Sequence, residues 1–238
     1  MIRLMRFQRQ HHPKITSTHK WALEQSFPSP QMITADLQTD SVGRRPGTRW
    51  LSPPQTALLA TFALPHYLTP HPENLAQILA SSLMSVAQTF SIFPLFKWPN
   101  DLLLSSKKLA GTMADIEKEI TVISCGMNIN TSKEDLAKVD IPATSLAAET
   151  GRHFDIEAIA DLLNRQFSHD LSLFEQKGFA PFCAPINKYL AYRDQLVTLE
   201  GPKRLSGIVK EVHSDGRLIF EVGDKRHLIA SGSLHSNY

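Results

Sequence analysis

The chain has 238 residues, 42% of them hydrophobic and 20% charged, a balance that supports a buried core and excludes a disordered chain. Its 25 Lys and Arg stand against 23 Asp and Glu, so no strong field draws in a nucleic acid or an anionic membrane. Its 2 cysteines, Cys125 and Cys183, lie in different segments without metal-ligand spacing, and Cys125, inside an apolar run, reads as a buried reduced thiol. No stretch approaches the roughly 18 apolar residues of a spanning helix, and the N-terminus lacks the apolar core of a signal peptide. A soluble, cytoplasmic protein is expected.

Arg3, Arg6, Arg9 and Lys14 have no acidic neighbour and read as a solvated terminal segment. Ser17 and Thr18 cap a short helix through Trp21, Ala22 and Leu23, stopped by Pro28-Ser29-Pro30. Met32 to Leu37 reads as a strand. Residues 39–55, with Gly, Pro and Arg throughout, are too polar and broken for regular structure. Thr56 to Leu64 is a nearly continuous apolar run, as in a central strand. Pro72 at a first turn, followed by Leu75, Leu79, Leu83, Val86 and Phe90, predicts a helix. Four strands follow, at Leu95 to Trp98, Leu102 to Leu104, Leu109 to Ile116 and Thr121 to Asn130, with a hairpin turn at Ser105-Ser106-Lys107. Ile156, Ile159, Leu163, Phe167, Leu171 and Phe174 share one face of a second helix that ends at Gly178. From Gln195 short strands alternate with turns at Gly201-Pro202 and Asp215-Gly216, the texture of a small β-barrel after an α+β domain.

One string carries chemistry: Lys97-Trp98-Pro99-Asn100-Asp101, and then Lys108-Leu109-Ala110-Gly111. Pro99 ends a strand, Asn100-Asp101 turn the chain, and Lys108 returns beside them. An acid, an amide and a lysine at strand tips suit a phosphate-rich ligand with its metal ion. From the spacing alone, a hairpin with a generic polar turn is the favoured reading, because short motifs predict function poorly.

The string resembles the KWPND and KLAG motifs of biotin protein ligases. Other segments resemble the same family in order: Ser17-Thr18-His19; Gln38; the loop Gly43-Arg44-Arg45-Pro46-Gly47-Thr48-Arg49-Trp50-Leu51-Ser52-Pro53; Gly126-Met127-Asn128-Ile129-Asn130; and Ala143-Thr144-Ser145-Leu146. The resemblance runs from about residue 15 to the end. It implies an α+β catalytic domain over residues 1–190, a mixed β-sheet with helices in the class II aminoacyl-tRNA synthetase-like fold, followed by an SH3-like barrel over 191–238. It also implies the activity: biotin and ATP form biotinyl-5'-AMP, and biotin passes to a lysine of a biotin carboxyl carrier protein.

On that resemblance, biotin is expected at Ser17, Thr18, His19, Gln38, Val42, Gly43, Arg44, Trp50, Lys108 and Gly111. ATP is expected at Arg44, Lys97, Asn100, Asp101, Lys108 and Asn128, with Asp101 near the Mg²⁺ that ATP carries. Arg44 and Lys108 would do the catalysis, because joining a carboxylate to a phosphate requires fixed positive charge. The residues allow plainer roles too: a helix cap for Ser17-Thr18, a core aromatic for Trp50, a turn for Asn128, and solvated loop charges for Arg45 and Arg49. The sequence departs from the family pattern at His19, Ser41-Val42, Pro46 and Thr48, and fewer arginines predict a loop that closes less completely. Only about fifteen residues precede Ser17, too few for a helix-turn-helix, so no DNA partner is expected; nor is a membrane, and the chain is expected to be a monomer or weak homodimer. A lipoate or octanoate ligase of the same fold and a non-catalytic biotin-binding module are the alternatives.

Overall fold

A computed structural model describes residues 6–45, 47–67, 71–201 and 203–236. Arg3, Pro46 and Pro202, singled out above, lie outside the described residues. In chain order the elements are β1 (Gln8–His12), α1 (Thr18–Glu24), β2 (Gln31–Ala35), β3 (Ala57–Pro65), α2 (Pro72–Thr89), β4 (Leu95–Lys97), β5 (Asp101–Leu104), β6 (Lys107–Glu117) and β7 (Ile120–Asn128). Then come α3 (Lys133–Leu136), α4 (Leu146–Thr150), α5 (Ile156–Lys177), α6 (Ala180–Lys188), β8 (Leu196–Glu200), β9 (Leu205–Val212), β10 (Leu218–Val222), β11 (Lys225–Ile229) and β12 (Ser233–Ser236). The fold is α+β, with one mixed sheet ordered β1-β2-β3-β7-β6-β5-β4 and a second, antiparallel sheet ordered β11-β10-β9-β8-β12.

The two central strands of the first sheet have a different chemistry on each face. On β3, Leu58, Ala60, Phe62 and Leu64 join the main core with Ile123, Cys125 and Met127 of β7. The same core takes the apolar stripes of α2 and α5, including Leu75, Leu79, Leu83, Leu163, Phe167 and Leu171. The alternate residues of the two strands point the other way, as the two-residue period of a strand requires. There Ala63 and Val122 pack with Ala22 of α1, and Thr61 stands directly opposite Ser124 in the β3–β7 register. The helices α2 and α5 therefore close one face of the sheet and leave the other for α1 and a cavity.

Of the described part of the basic N-terminal segment, Arg6 and Lys14 are exposed as expected, but the stretch between them is not a solvated tail. Residues 8–12 form β1, a parallel edge strand on β2. Arg9 reaches the first turns of α5, its guanidinium 2.6 Å from Glu157 and 3.3 Å from Asp161. The acidic partners stand about 150 positions away in sequence, which is why the segment looks unpaired. Helix α6 was also unforeseen, since Pro181 and Pro185 speak against a helix; Pro181 fits the first turn, where its missing N–H costs nothing. The polar strand β12 shows no apolar alternation and is fixed instead by its ladder to β8.

Among the described residues no helix is long and apolar enough to cross a membrane. The second sheet is not a separate bead. Val197, Leu199, Val209, Phe220 and Leu234 belong to the same apolar cluster as α2 and α5. The fully buried indole of Trp98 donates to Gly216 O at 3.0 Å, in the turn between β9 and β10.

Candidate active site

A cavity of about 310 Å³ opens on the sheet face opposite α2 and α5. Ser17, Thr18, His19, Gln38, Val42, Gly43, Arg44, Trp50, Lys97, Asn100, Asp101, Lys108, Gly111 and Asn128, the residues singled out from the sequence, all line it. Its two ends differ in chemistry.

One end is built of buried hydroxyls and an amide. Ser17 caps α1, accepting from Lys20 N at 3.3 Å. Thr18 donates to Gln38 Oε1 from both its backbone N, at 2.7 Å, and its Oγ1, at 3.0 Å. Behind it Thr61 Oγ1 donates to Thr18 Oγ1 at 2.8 Å and lies 2.7 Å from Ser124 Oγ. His19 Nδ1 is 2.7 Å from Ser124 Oγ, and its Nε2 is 2.9 Å from Asp115 Oδ2. Sequence reasoning missed Thr61, Ser124 and Asp115. The signal was there for two of them, since Thr61 and Ser124 are hydroxyls inside otherwise apolar central strands.

The other end is cationic. Lys97 and Gly111 flank Asp101 across the β4–β5 and β5–β6 ladders. Lys108 lies an odd number of residues before Gly111, so in a regular strand it would face away. A bulge corrects the phase: Leu102 pairs with Ala110 and Leu103 with Lys108, which leaves Leu109 without a partner. Lys108 Nζ thereby meets Asp101 Oδ1 at 2.7 Å. A Cβ added at Gly111 would lie 3.0 Å from that Nζ, so this glycine keeps room for the ammonium. Burial pushes the Lys97 pKa down, Asp101 pushes it back up, and the nearby cations Lys108, Arg45 and Arg44 lower it further. Arg44 is likewise lowered by burial. Four cations around one carboxylate make a site that gains by receiving an anion.

The amides play quieter parts. Buried Asn100 donates to Thr112 O and accepts from Thr112 N at 2.9 Å, which ties the β4–β5 turn to β6. Asn128 ends β7 and donates to Thr144 O at 3.0 Å. Cys125 belongs to the core side of β7, and burial pushes its thiol pKa up to about 12, as befits an inert thiol.

Residues 39–45 and 47–55 cover the cavity without regular structure apart from turns. Ser41 closes the neck of this loop, accepting from Trp50 N at 2.9 Å and donating to Trp50 O at 2.5 Å. Arg44 crosses to β12, donating to Gly232 O at 3.1 Å and Ser233 Oγ at 3.0 Å. Arg49 pairs with Asp40 at 3.4 Å, and Arg45 lies 3.5 Å from His235. The serine at a departure from the family motif thus holds the loop neck. Trp50 lies flat on Gly126, where an added Cβ would come within 2.5 Å of its ring. Its indole N–H is buried and finds no partner among the described residues. Gly126→Ala should therefore lift the ring off β7. Overpacking of this kind costs about 1–3 kcal/mol where nothing yields, and here the loop yields. The check is a red-shifted tryptophan emission in Gly126→Ala that vanishes when Trp50→Phe is added.

The family model for the biotin/lipoate A/B protein ligases matches residues 8–130, more than half of the chain. The chain belongs to the biotin/lipoate A/B protein ligase family. Among relatives of this ligase family, the bifunctional ligase/repressor BirA of Escherichia coli is 28% identical over 219 residues, covering 88% of this chain and 68% of that protein. The biotin–[acetyl-CoA-carboxylase] ligase of Mycobacterium tuberculosis is 28% identical over 163 residues, covering 64% of this chain and 58% of that protein. The biotin protein ligase of Aquifex aeolicus, solved with biotin and ATP, superposes with a TM-score of 0.86 at 24% identity, covering 96% of this chain and 97% of that one. That likeness establishes the ligase fold, including the small C-terminal sheet.

Proposed function

We propose that the chain is a biotin–protein ligase that makes biotinyl-5'-AMP in this cavity and hands biotin to a lysine of a carrier domain. One observation carries the reading. A single cavity joins a neutral end of buried hydroxyls and an amide to an end with four cations, with Trp50 between them. A urea ring needs the first end and a polyphosphate needs the second. The relatives' names, and the biotin and ATP held by the Aquifex protein, support that assignment.

The chemistry then runs in two steps. A biotin carboxylate oxygen attacks the α-phosphorus of ATP, the new P–O bond forms, and the bond to the β-phosphate oxygen breaks to release pyrophosphate. A deprotonated lysine amine of the carrier next attacks the anhydride carbonyl, and AMP leaves with the electron pair. The first step brings two anions together, and Lys108 offsets that repulsion with charge fixed in place beforehand, joined by Arg44. Lys108 acts as a point charge on the phosphate oxygens, and Arg44 offers a planar fork once it turns from the β12 carbonyl. Lys97, whose charge is costly where it is buried, is stabilised by the same phosphates.

Among the described residues no three His, Cys, Asp or Glu side chains gather to hold a resident metal. Asp101 is the carboxylate at the cationic end, and a magnesium that arrives with a nucleotide needs only one or two carboxylates besides the phosphates. The donor set fits MgATP as a substrate.

The experiment is radiolabelled ATP–pyrophosphate exchange with biotin, and separately with lipoate and with octanoate. Exchange with biotin alone is the expected result. Exchange with lipoate or octanoate instead would assign the chain to the other branch of its family, and biotin binding without exchange would make it a binding module.

A further inference from the structure

Lys108 stands where the regular ladder gives out. The β6–β7 pairing begins at Ala110, opposite Met127, and β7 ends at Asn128, so Lys108 lies beyond the last rung. There the chain returns after α3, and residues 142–144 take the place of β7. Lys108 N donates to Pro142 O at 2.8 Å, and Thr144 N donates to Lys108 O at 2.9 Å, which makes a parallel bridge between Lys108 and Ala143. Both backbone polar groups of Lys108 are thus engaged by a segment that belongs to no strand. A bulge aims a side chain through the local backbone, so whatever holds residues 142–144 also aims the ammonium.

We propose that Glu149, outside the cavity, is a positioning residue that aims Lys108 by holding the backbone on either side of it. This rests on the biotin ligase reading of the cavity. Thr144 Oγ1 donates to Glu149 Oε1 at 2.5 Å, and Ser105 Oγ donates to Glu149 Oε2 at 2.6 Å. Thr144 belongs to the segment beside Lys108. Ser105 belongs to the turn that starts β6, where Ser105 and Ser106 both have positive φ. One carboxylate therefore fixes the strand that carries Lys108 and the segment that lies against it. Glu149 is absent from the cavity lining, so it acts on a ligand only through other residues. Asn128 Nδ2 secures the same segment by donating to Thr144 O at 3.0 Å, so losing Glu149 displaces the segment without releasing it.

The hydrogen bonds from Ser105 and Thr144, which outweigh its slight burial, hold the Glu149 carboxyl below the usual glutamate range, and Lys107 and Lys133 add to this. It is therefore ionised at neutral pH, and its oxygens accept both hydroxyl protons. Thr144 is 2% exposed. Without the carboxylate its hydroxyl has little water to turn to, and the segment shifts to find it a partner. A small displacement of the ammonium matters, since fixed charge lowers the barrier only where the phosphate oxygens gain charge.

The test uses the whole chain. Glu149→Ala and Thr144→Val should each fold, as a thermal melt will show, and leave the KM for biotin unchanged. Each should lower kcat for ATP–pyrophosphate exchange about three- to tenfold, the size of one lost hydrogen bond, and the double mutant should lose no more than either alone. Glu149→Gln should restore the rate, because its oxygen accepts from Thr144 while its amide nitrogen donates to Ser105. In a Lys108→Ala background, Glu149→Ala should change the residual rate by no more than about twofold, since nothing is left for it to aim. Unchanged exchange in folded Glu149→Ala, or the same fall without Lys108, overturns the proposal. A second readout needs no substrate. The ¹³Cε signal of Lys108, assigned by its loss in Lys108→Ala, should move in Glu149→Ala and Thr144→Val and return in Glu149→Gln; a signal that stays put also overturns the proposal. If it moves as expected while the wild type shows no biotin-dependent exchange, the aiming of Lys108 stands and the biotin ligase reading falls.

Discussion

Lys108→Ala is expected to fold normally, to keep its affinity for biotin, and to lose ATP–pyrophosphate exchange by about 10²–10³. The magnitude is that of removing one preorganised electrostatic partner from a developing charge, about 2.7–4 kcal/mol of barrier. The fold should survive because Lys108 pairs with Asp101 alone, and this mostly buried carboxylate is not left without a cation when Lys108 is removed. Asp101 also keeps Lys97 as its cross-strand neighbour. Biotin affinity should survive because Thr18 and Gln38 hold their hydrogen bonds without Lys108. Lys108→Arg is an informative companion. An added Cβ at Gly111 would sit 3.0 Å from both Cε and Nζ of Lys108, which marks how little space the ammonium has. The larger guanidinium keeps the charge and loses the position, so it should restore only part of the rate. The readouts are exchange kinetics, a biotin titration and a thermal melt. Near-normal exchange in a folded Lys108→Ala protein would remove Lys108 from the chemistry.

The two motifs illustrate what a sequence can and cannot carry. KWPND followed by KLAG pointed to Lys97, Asp101 and Lys108, and the structure puts all three at one end of one cavity. Why Lys108 faces that cavity was not legible. It depends on a bulge at Leu109, and a bulge is set by the pairing of two strands rather than by either alone. The helices α2 and α5 were legible because their apolar residues recur with the helical period. Strand β1 was not, because the acids that pair with Arg9 come from α5. His19 could be seen only as a departure from a motif; its partners Ser124 and Asp115 lie on β7 and β6, about a hundred residues on. The loop shows the limit most plainly. Missing arginines predict weaker closure over a ligand, and the motif does not show that Ser41 and Arg44 bond the backbone of Trp50 and of Gly232. A motif records which side chains differ and is blind to the backbone groups that replace them.

Trp98→Ala should give the largest loss of stability, about 3–5 kcal/mol, the usual cost of truncating a large buried aromatic. Trp98 sits inside the KWPND motif, but its role is architectural. Its side chain is 0% exposed and belongs to the core shared by the two sheets. The indole N–H donates to Gly216 O, which also accepts from Gln77 Nε2 of α2 at 2.9 Å. Gly216 has a φ of +87°, and a Cβ there would strike Gln77 and Asn74 within 2.5 Å. One carbonyl in the β9–β10 turn therefore joins the catalytic sheet, α2 and the second sheet. Trp98→Phe separates the two contributions. It keeps most of the packing and removes one donor from a carbonyl that retains another, so it should cost about 1 kcal/mol plus the smaller volume. Urea denaturation of the three proteins measures the difference. The truncation should also reach the active site, because Lys97 precedes Trp98 directly and is positioned by the same strand. A Trp98→Ala protein folded at low temperature should therefore bind nucleotide poorly, although the indole does not line the cavity. If it loses stability while nucleotide binding and exchange stay intact, the motif tryptophan is a core residue only, and Lys97 is held by its ladder with Asp101 alone.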